Sequence, residues 1–141
     1  MIEKYATAVW TGSLREGAGK LSTQSGAMTD TPYTHATRFG GAKGANPEEL
    51  IGAAHAACFS MALSGELGKA GMVAEEIRTT ATVTLEFIDG AATVTKIHLD
   101  LAAKIPGGKD AAFQAAAATA KANCPISRLL KAHISLTAVL V

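Results

Sequence analysis

Cysteine is scarce in this 141-residue sequence, which contains only Cys58, in "AACFS", and Cys124, in "ANCPIS". With 48% hydrophobic residues, we expect the chain to form one domain, residues 1–141, whose core needs no disulfide staples. We also expect a cytoplasmic protein, and permanent disulfides are rare in that reducing compartment. If the two cysteines pair, the pairing should therefore be transient.

Long apolar runs and an excess of one charge are also missing. No stretch approaches 18 consecutive apolar residues, and no long apolar run follows a basic start, so we expect neither a transmembrane helix nor a signal peptide. The 13 basic and 12 acidic residues are scattered and leave a net charge of +1. This balance argues against nucleic acid or an anionic membrane as a partner.

The first forty residues alternate in the manner of strands and are interrupted by glycines. The alternation predicts three short strands, "YATAVWTG", "GKLSTQSG" and "YTHATRF". The predicted turn positions are Gly12, Gly17, Gly19 and Gly26. The glycine-rich connection "GGAKGANP" then leads into a helix.

Strong start and stop signals bound this predicted helix. Asn46 can cap it, Pro47 suits its first position, and the two acidic residues that follow complement the helix dipole. The helix continues to about Lys69, and Gly71 provides a left-handed stop. Because it is apolar nearly all round, we expect burial on most sides, which requires a second helix or a second subunit.

The second half of the chain predicts a hairpin, a helix and a final strand. Two alternating runs, "IRTTATVTLEFIDG" and "ATVTKIHLDLAAKI", meet at Asp89-Gly90, which favours a tight turn. A helix over "KDAAFQAAAATAKAN" is interrupted at Cys124-Pro125, and "PISRLLK" adds a helical turn or two before the strand "HISLTAVLV". The predicted class is α+β, with about six strands and two principal helices.

The residues alone leave three chemical candidates open. Cys58 lies within an Ala-rich helix, where a free cysteine often acts as a small buried hydrophobe. Cys124 precedes a short helix, where amide donors and the dipole favour a thiolate. Arg38 is predicted near the end of a strand, and such an arginine is more often a surface charge than a catalytic group.

Other chemistries find no support in the sequence. The four histidines are dispersed, and although His55 and Cys58 lie three residues apart, no second pair completes a metal site. The connection "GGAKGANP" lacks the Lys-Ser/Thr ending of a phosphate-binding loop, and no Gly-x-Ser-x-Gly elbow occurs. We therefore expect no metal, no nucleotide and no serine hydrolysis.

A resemblance decides between the open alternatives. The segments "TRF", "GANPEELIGAAHAACFSMALS" and "NCPIS", together with the terminal strand, resemble the OsmC branch of the OsmC/Ohr family across essentially the whole chain. The resemblance implies an intertwined homodimer in which antiparallel sheets wrap around central helices. It also implies a thiol-dependent peroxidase that reduces organic hydroperoxides to alcohols.

The resemblance also assigns roles to four residues. It makes Cys58 the peroxidatic cysteine, Cys124 the resolving cysteine, Arg38 the active-site arginine and Glu48 the carboxylate that orients it. It implies no bound cofactor and an external dithiol reductant, such as lipoyl groups on a protein. For the apolar neighbours Phe39, Phe59 and Met61, core packing is the favoured role, and lining a pocket for an alkyl chain is the alternative.

One geometric difficulty follows from this assignment. Glu48 and Cys58 are ten residues apart, about 15 Å of rise on one straight helix, so they cannot meet on it. Either the helix is broken, or Glu48 and Arg38 reach the thiol of the partner subunit, which we favour. The alternative to an enzyme is a noncatalytic dimeric protein that binds a small apolar ligand and whose cysteines are inert.

Overall fold

The computed structural model describes residues 1–141 and contains six strands and four helices. The strands are β1 (Ala6–Thr11), β2 (Ala18–Thr23), β3 (Thr31–Thr34), β4 (Glu76–Ile88), β5 (Ala91–Lys104) and β6 (His133–Leu140). The helices are α1 (His35–Phe39), α2 (Pro47–Lys69), α3 (Asp110–Asn123) and α4 (Pro125–Leu129). The chain divides into two compact units, Met1–Leu50 and Ile51–Val141, and the single domain stays a prediction. The α+β class is confirmed.

The first unit contains an antiparallel sheet in the order β1-β2-β3. Gly12 and Gly26 adopt positive φ angles of 91° and 78°, as the predicted turns require. Gly19 does not form a turn, because it lies buried within β2, where a side chain would collide with the ring of Tyr33. That prediction was wrong, since the glycine serves a close approach between paired strands.

The third predicted strand is only half correct. Strand β3 ends at Thr34, and helix α1 begins at the next residue. Thr34 and Thr37 form a reciprocal capping box, in which each side chain accepts a hydrogen bond from the other residue's backbone N–H. These two bonds satisfy N–H groups that a new helix leaves unpaired, and they convert the segment from strand to helix.

The predicted limits of α2 are confirmed. The side chain of Asn46 accepts a hydrogen bond of 2.8 Å from the backbone N–H of Glu49, and Pro47 is the first helical residue. At the other end Gly71 adopts φ 72°, and the Met72 N–H donates to the carbonyl of Leu67. The helix is uninterrupted over 23 residues.

The second unit contains a sheet in the order β4-β5-β6. Strands β4 and β5 form the predicted antiparallel hairpin, and both turn residues, Asp89 and Gly90, adopt positive φ angles of 50° and 80°. Strand β6 pairs with β5 in parallel, contrary to the expectation of purely antiparallel sheets. The parallel pair is possible because α3 and α4 supply the long crossover that it requires.

The core of the second unit is built from one face of β5 and from stripes on two helices. It contains alternate residues of β5, from Ile97 to Ala103, the α2 residues Phe59, Leu63 and Leu67, and Phe113 of α3. Apart from this stripe, α2 is not buried on most sides within the chain, and Met61 is 78% exposed. By length and composition alone, α2 is also long and apolar enough to cross a membrane. Helices in the core of a folded protein meet the same two criteria.

Candidate functional site

The two cysteines meet in the second unit. Cys58, on α2, is half-buried, and Cys124, at the start of α4, is completely buried. Their Sγ atoms lie 2.8 Å apart, although the residues are separated by 66 positions in the sequence. Both are free thiols, and a disulfide bond would require their sulfur atoms to move together by only about 0.8 Å.

A backbone amide at the start of α4 forms a hydrogen bond with Cys58, whereas the side chain of Cys124 does not cap the helix. Cys124 is the N-cap residue, as predicted, but its side chain makes no capping hydrogen bond. The backbone N–H of Ile126, in the first turn of α4, instead donates to the sulfur of Cys58. The amide stabilisation that the sequence predicted for Cys124 thus reaches the other thiol.

Burial dominates the ionisation of Cys58. Desolvation raises the pKa of its thiol, and the hydrogen bond and charge interaction with Cys124 raise it further. The hydrogen bond from Ile126 acts in the opposite direction but is outweighed. The neutral thiol is therefore the main form near pH 7.

We expect alkylation of Cys58 by a neutral reagent such as iodoacetamide to be slow at pH 7 and to accelerate as the pH rises. Because the thiolate is the reacting form and its pKa is raised, the midpoint should lie above the value of about 8.5 for an ordinary cysteine. Mass spectrometry of the Cys58 peptide, with the Cys124→Ser variant tested in parallel, gives the profile. A midpoint below that of a free cysteine would contradict the dominance of burial.

Arg38 and Glu48 form a two-pronged ion pair in the first unit. Nη2 of Arg38 lies 2.7 Å from Oε1 of Glu48, and Nε lies 3.2 Å from each carboxylate oxygen. The side chains are 37% and 13% exposed, respectively. The guanidinium carbon also lies 5.1 Å from the ring centre of Phe39. The predicted pairing of Arg38 with Glu48 is thus observed, although Arg38 lies on α1 and not on a strand.

An aromatic cleft surrounds Arg38. It has a volume of about 280 Å³. Two pairs of rings contribute to it, Trp10 with Tyr33 at 5.5 Å and His35 with Phe39 at 4.9 Å between centres. Leu14, Thr34 and Pro47 complete the lining. The cleft therefore combines a charged hydrogen-bond donor with apolar walls, a combination typical of small-molecule sites.

Only one of the three apolar residues that the sequence suggested as pocket or core residues lines the cleft. Phe39 lines it, Phe59 is completely buried in the core of the second unit, and Met61 is exposed. Trp10 and Tyr33 could not be linked from the sequence, because their positions on β1 and β3 become related only through the pairing of both strands with β2.

The helix between Glu48 and Cys58 is continuous, so the alternative of a broken helix was wrong. The two pairs of predicted site residues lie in different units, Arg38 with Glu48 in the first and Cys58 with Cys124 in the second. Action across a dimer interface stays a prediction.

One further buried polar contact joins α2 and α4. His55 is completely buried, and its Nε2 lies 2.8 Å from Oγ of the buried Ser127. No motif in the sequence indicated Ser127 as the partner of His55. The structure contains no group of three or more His, Cys, Asp or Glu residues able to hold a metal ion.

Comparisons with known sequences identify close relatives. The model of the OsmC-like protein family matches residues 40–139. The chain is 50% identical to peroxiredoxin OsmC of Escherichia coli over 135 residues, which cover 96% of this chain and 94% of that protein. The same identity and coverage hold for peroxiredoxin OsmC of Shigella flexneri.

Solved structures share the fold. An OsmC-like protein of unknown function from Vibrio cholerae has a TM-score of 0.79 at 18% identity, covering 99% of this chain and 100% of that one. An organic hydroperoxide resistance protein from Elizabethkingia anophelis has a TM-score of 0.74 at 27% identity, covering 99% and 96%, respectively. The architecture is therefore common to proteins with widely different sequences.

Proposed function

The chain belongs to the OsmC-like protein family and has a peroxidase-type function, and we propose that it reduces organic hydroperoxides to alcohols with Cys58 and Cys124. The observation that carries this proposal is the 2.8 Å contact between the two thiols. One is half-buried and the other completely buried, so the half-buried Cys58 is the thiol that meets the peroxide.

The first step is attack by the Cys58 thiolate on one peroxide oxygen. The O–O bond breaks, the second oxygen leaves as an alkoxide that takes up a proton, and Cys58 becomes a sulfenic acid. The amide of Ile126 donates to the Cys58 sulfur and stabilises its negative charge before the attack.

The second step uses Cys124. Its thiol attacks the sulfenic sulfur, a disulfide forms, and the oxygen leaves as water. Rapid disulfide formation protects Cys58 from oxidation to the sulfinic acid, which is largely irreversible. An external dithiol, such as lipoyl groups on a protein, then restores both thiols by exchange.

Arg38 has a task beyond raising the amount of thiolate. The pKa of the Cys58 thiol is raised, so a larger thiolate fraction would increase the rate, but a Brønsted slope near 0.4–0.5 removes part of that gain. The two-pronged bond from Arg38 to Glu48 fixes the guanidinium plane. A fixed guanidinium also holds the peroxide in line and stabilises charge on the leaving oxygen, effects that a greater supply of thiolate does not provide.

A homodimer would bring these groups to one site. Outside its buried stripe, α2 presents apolar side chains such as Met61 to solvent, and every residue of β1 is exposed within the single chain. Exposed apolar surface of this kind marks a contact surface. A second copy that covers it would also allow Arg38 and Glu48 of one protomer to act on the thiol of the other. We propose a cytoplasmic location for this dimer.

The aromatic cleft predicts a preference for organic substrates. We expect an alkyl or aryl hydroperoxide to exceed hydrogen peroxide in kcat/KM by at least about tenfold, because burial of two or three methylene groups at about 0.8 kcal/mol each supplies that factor. Turnover should be measured with both peroxides, each with a lipoyl dithiol and with glutathione as reductant. Equal kcat/KM values for the two peroxides would remove the apolar cleft from the substrate site.

The noncatalytic alternative makes a different prediction. A protein that only binds a small apolar ligand would keep both cysteines unreactive toward peroxide. The close contact of the two thiols and the peroxiredoxin relatives favour the enzyme.

A further inference from the structure

A buried hydrogen bond joins the two helices that carry the cysteines. Nε2 of His55 on α2 lies 2.8 Å from Oγ of Ser127 on α4. His55 is 0% exposed and Ser127 is 9% exposed. Nδ1 of His55 is buried without a partner. Because a buried N–H without an acceptor is costly, the unpaired Nδ1 favours the tautomer in which the Nε2–H donates a hydrogen bond to Oγ of Ser127.

This bond runs beside the thiol contact. His55 lies three residues before Cys58 on α2, and Ser127 lies three residues after Cys124 at the start of α4. His55 and Cys58 therefore share one face of α2, and Ser127 is only three residues from Cys124, the N-cap of α4. The polar bond and the thiol pair therefore form two neighbouring connections between the same two segments.

Helix α4 has few other attachments. It is five residues long, and Ser127 is its only buried residue, while Ile126 is partly buried against the core and donates its amide to Cys58. A helix this short is not stable by itself, so its position depends on such contacts. Removal of the Ser127 hydroxyl would leave the N–H of His55 buried and unpaired, which favours displacement of α4.

We propose that the His55–Ser127 hydrogen bond positions Cys124 for its attack on oxidised Cys58. His55 and Ser127 are positioning residues, because neither contacts the reacting atoms. Burial lowers the pKa of His55, so the imidazole is neutral and the bond persists around pH 7.

The proposal rests on the proposed function, since it concerns the resolving step. In that step the Cys124 sulfur forms a bond to the Cys58 sulfur, the S–O bond of the sulfenic acid breaks, and the oxygen leaves with two protons as water. The rate depends on how closely the two sulfur atoms are held, and small displacements reduce such rates strongly. Sulfenic acid formation at Cys58 does not require Cys124 to be in place.

The main test is the Ser127→Ala variant in a rapid-quench experiment with one equivalent of an alkyl hydroperoxide. Displacement of α4 also weakens the hydrogen bond from the Ile126 amide to Cys58, so we expect sulfenic acid formation, trapped with a 1,3-dione and measured by mass spectrometry, to slow about twofold, and disulfide formation to slow about tenfold. His55→Gln keeps an N–H donor at a similar position and should retain most of the resolving rate. Equal slowing of both steps, or no slowing of the second, would overturn the proposal.

Ser60→Ala is the matched control. Ser60 is also on α2 and makes a hydroxyl contact of the same 2.8 Å length, but its partner is Thr79 on β4. This variant should leave both rates unchanged, with thermal unfolding followed for all variants. If disulfide formation slowed as much in Ser60→Ala as in Ser127→Ala, the cause would be a general loss of packing. That result would contradict a specific role for the bond to α4.

A second assay separates this proposal from the proposed function. Equilibration with oxidised and reduced glutathione forms the Cys58–Cys124 disulfide without peroxide, two glutathione thiols being released for each oxidised glutathione consumed. The equilibrium constant of this exchange gives the effective concentration of one thiol at the other. We expect this effective concentration to be about tenfold lower in Ser127→Ala than in the wild type, because a positioning contact is lost. No fall would overturn the positioning role. The expected fall in a protein that does not react with peroxide would support the positioning role and contradict only the peroxidase assignment.

Discussion

Replacement of Cys58 by serine is expected to abolish peroxide turnover completely. The hydroxyl group of serine is not ionised near neutral pH and does not displace an alkoxide from an O–O bond. Cys124→Ser should instead reduce one equivalent of peroxide in a first turnover and then stall or over-oxidise, since no second thiol is present to trap the sulfenic acid. Peroxide consumption per protein, measured in the absence of reductant, distinguishes the two variants.

The comparison also tests which cysteine has which role. Circular dichroism should show that both variants keep the wild-type fold, because serine differs from cysteine by one atom. A Cys124→Ser protein that is inert in its first turnover would mean that the two roles are reversed.

Replacement of Arg38 by lysine is expected to reduce kcat/KM for an organic hydroperoxide by about a hundredfold or more, roughly the 2.7–4 kcal/mol typical of one lost transition-state donor. Lysine keeps the charge but lacks the planar fork that can bond a carboxylate and a peroxide oxygen together. The variant should remain folded and keep the oligomeric state of the wild-type protein, and the pKa of Cys58 should change only modestly. Stopped-flow kinetics under single-turnover conditions gives the rate.

Two further variants define the reason for that loss. Glu48→Gln should lower the rate by less than Arg38→Lys, because it misorients the guanidinium without removing it. Arg78→Lys is the matched control, since Arg78 forms a similar pair with Glu76, at 3.1 Å, on an exposed part of β4. A comparable loss in Arg78→Lys would show a general effect of arginine replacement and would contradict the role given to Arg38.

Subunit mixing determines whether Arg38 and Glu48 of one protomer act on the cysteine of the other. If Arg38 and Glu48 of one protomer act on Cys58 of the other, heterodimers of Cys58→Ser and Glu48→Gln contain one fully native site. Activity should then rise toward half of the wild-type value per heterodimer. No recovery, with exchange confirmed independently, would mean that Glu48 does not act on the cysteine of the other protomer and would contradict the cross-subunit site.

The parts of the fold that could be predicted from the sequence are those fixed by local chemistry. Asn46 and Pro47 define the start of α2, and Asp89-Gly90 defines the hairpin, because caps and tight turns depend on a few adjacent residues. The helix that begins after Thr34 could not be predicted from the usual signal. Its capping box has Thr37 at the N3 position, where Glu or Gln is usual. The alternating pattern of β6 indicates a strand but carries no information about the direction of its neighbour.

The candidate site was predictable only in part for a related reason. Family resemblance identified Cys58, Cys124, Arg38 and Glu48, and the structure brings them together as two pairs. The bond between His55 and Ser127 spans 72 positions, and no periodic pattern links two single polar residues over that distance. The only signal was their equal spacing from the two cysteines. The position of the Ile126 amide against Cys58 likewise depends on tertiary packing.

Titration of the wild-type protein with organic hydroperoxide tests the central claim most directly. Sub-stoichiometric peroxide should consume two thiols for each molecule of peroxide reduced, and peptide mapping should find Cys58 joined to Cys124 within one chain. The alcohol should appear in equal amount. Thiols that remain unreacted, or a disulfide that joins other partners, would contradict a Cys58 sulfenic acid resolved by Cys124.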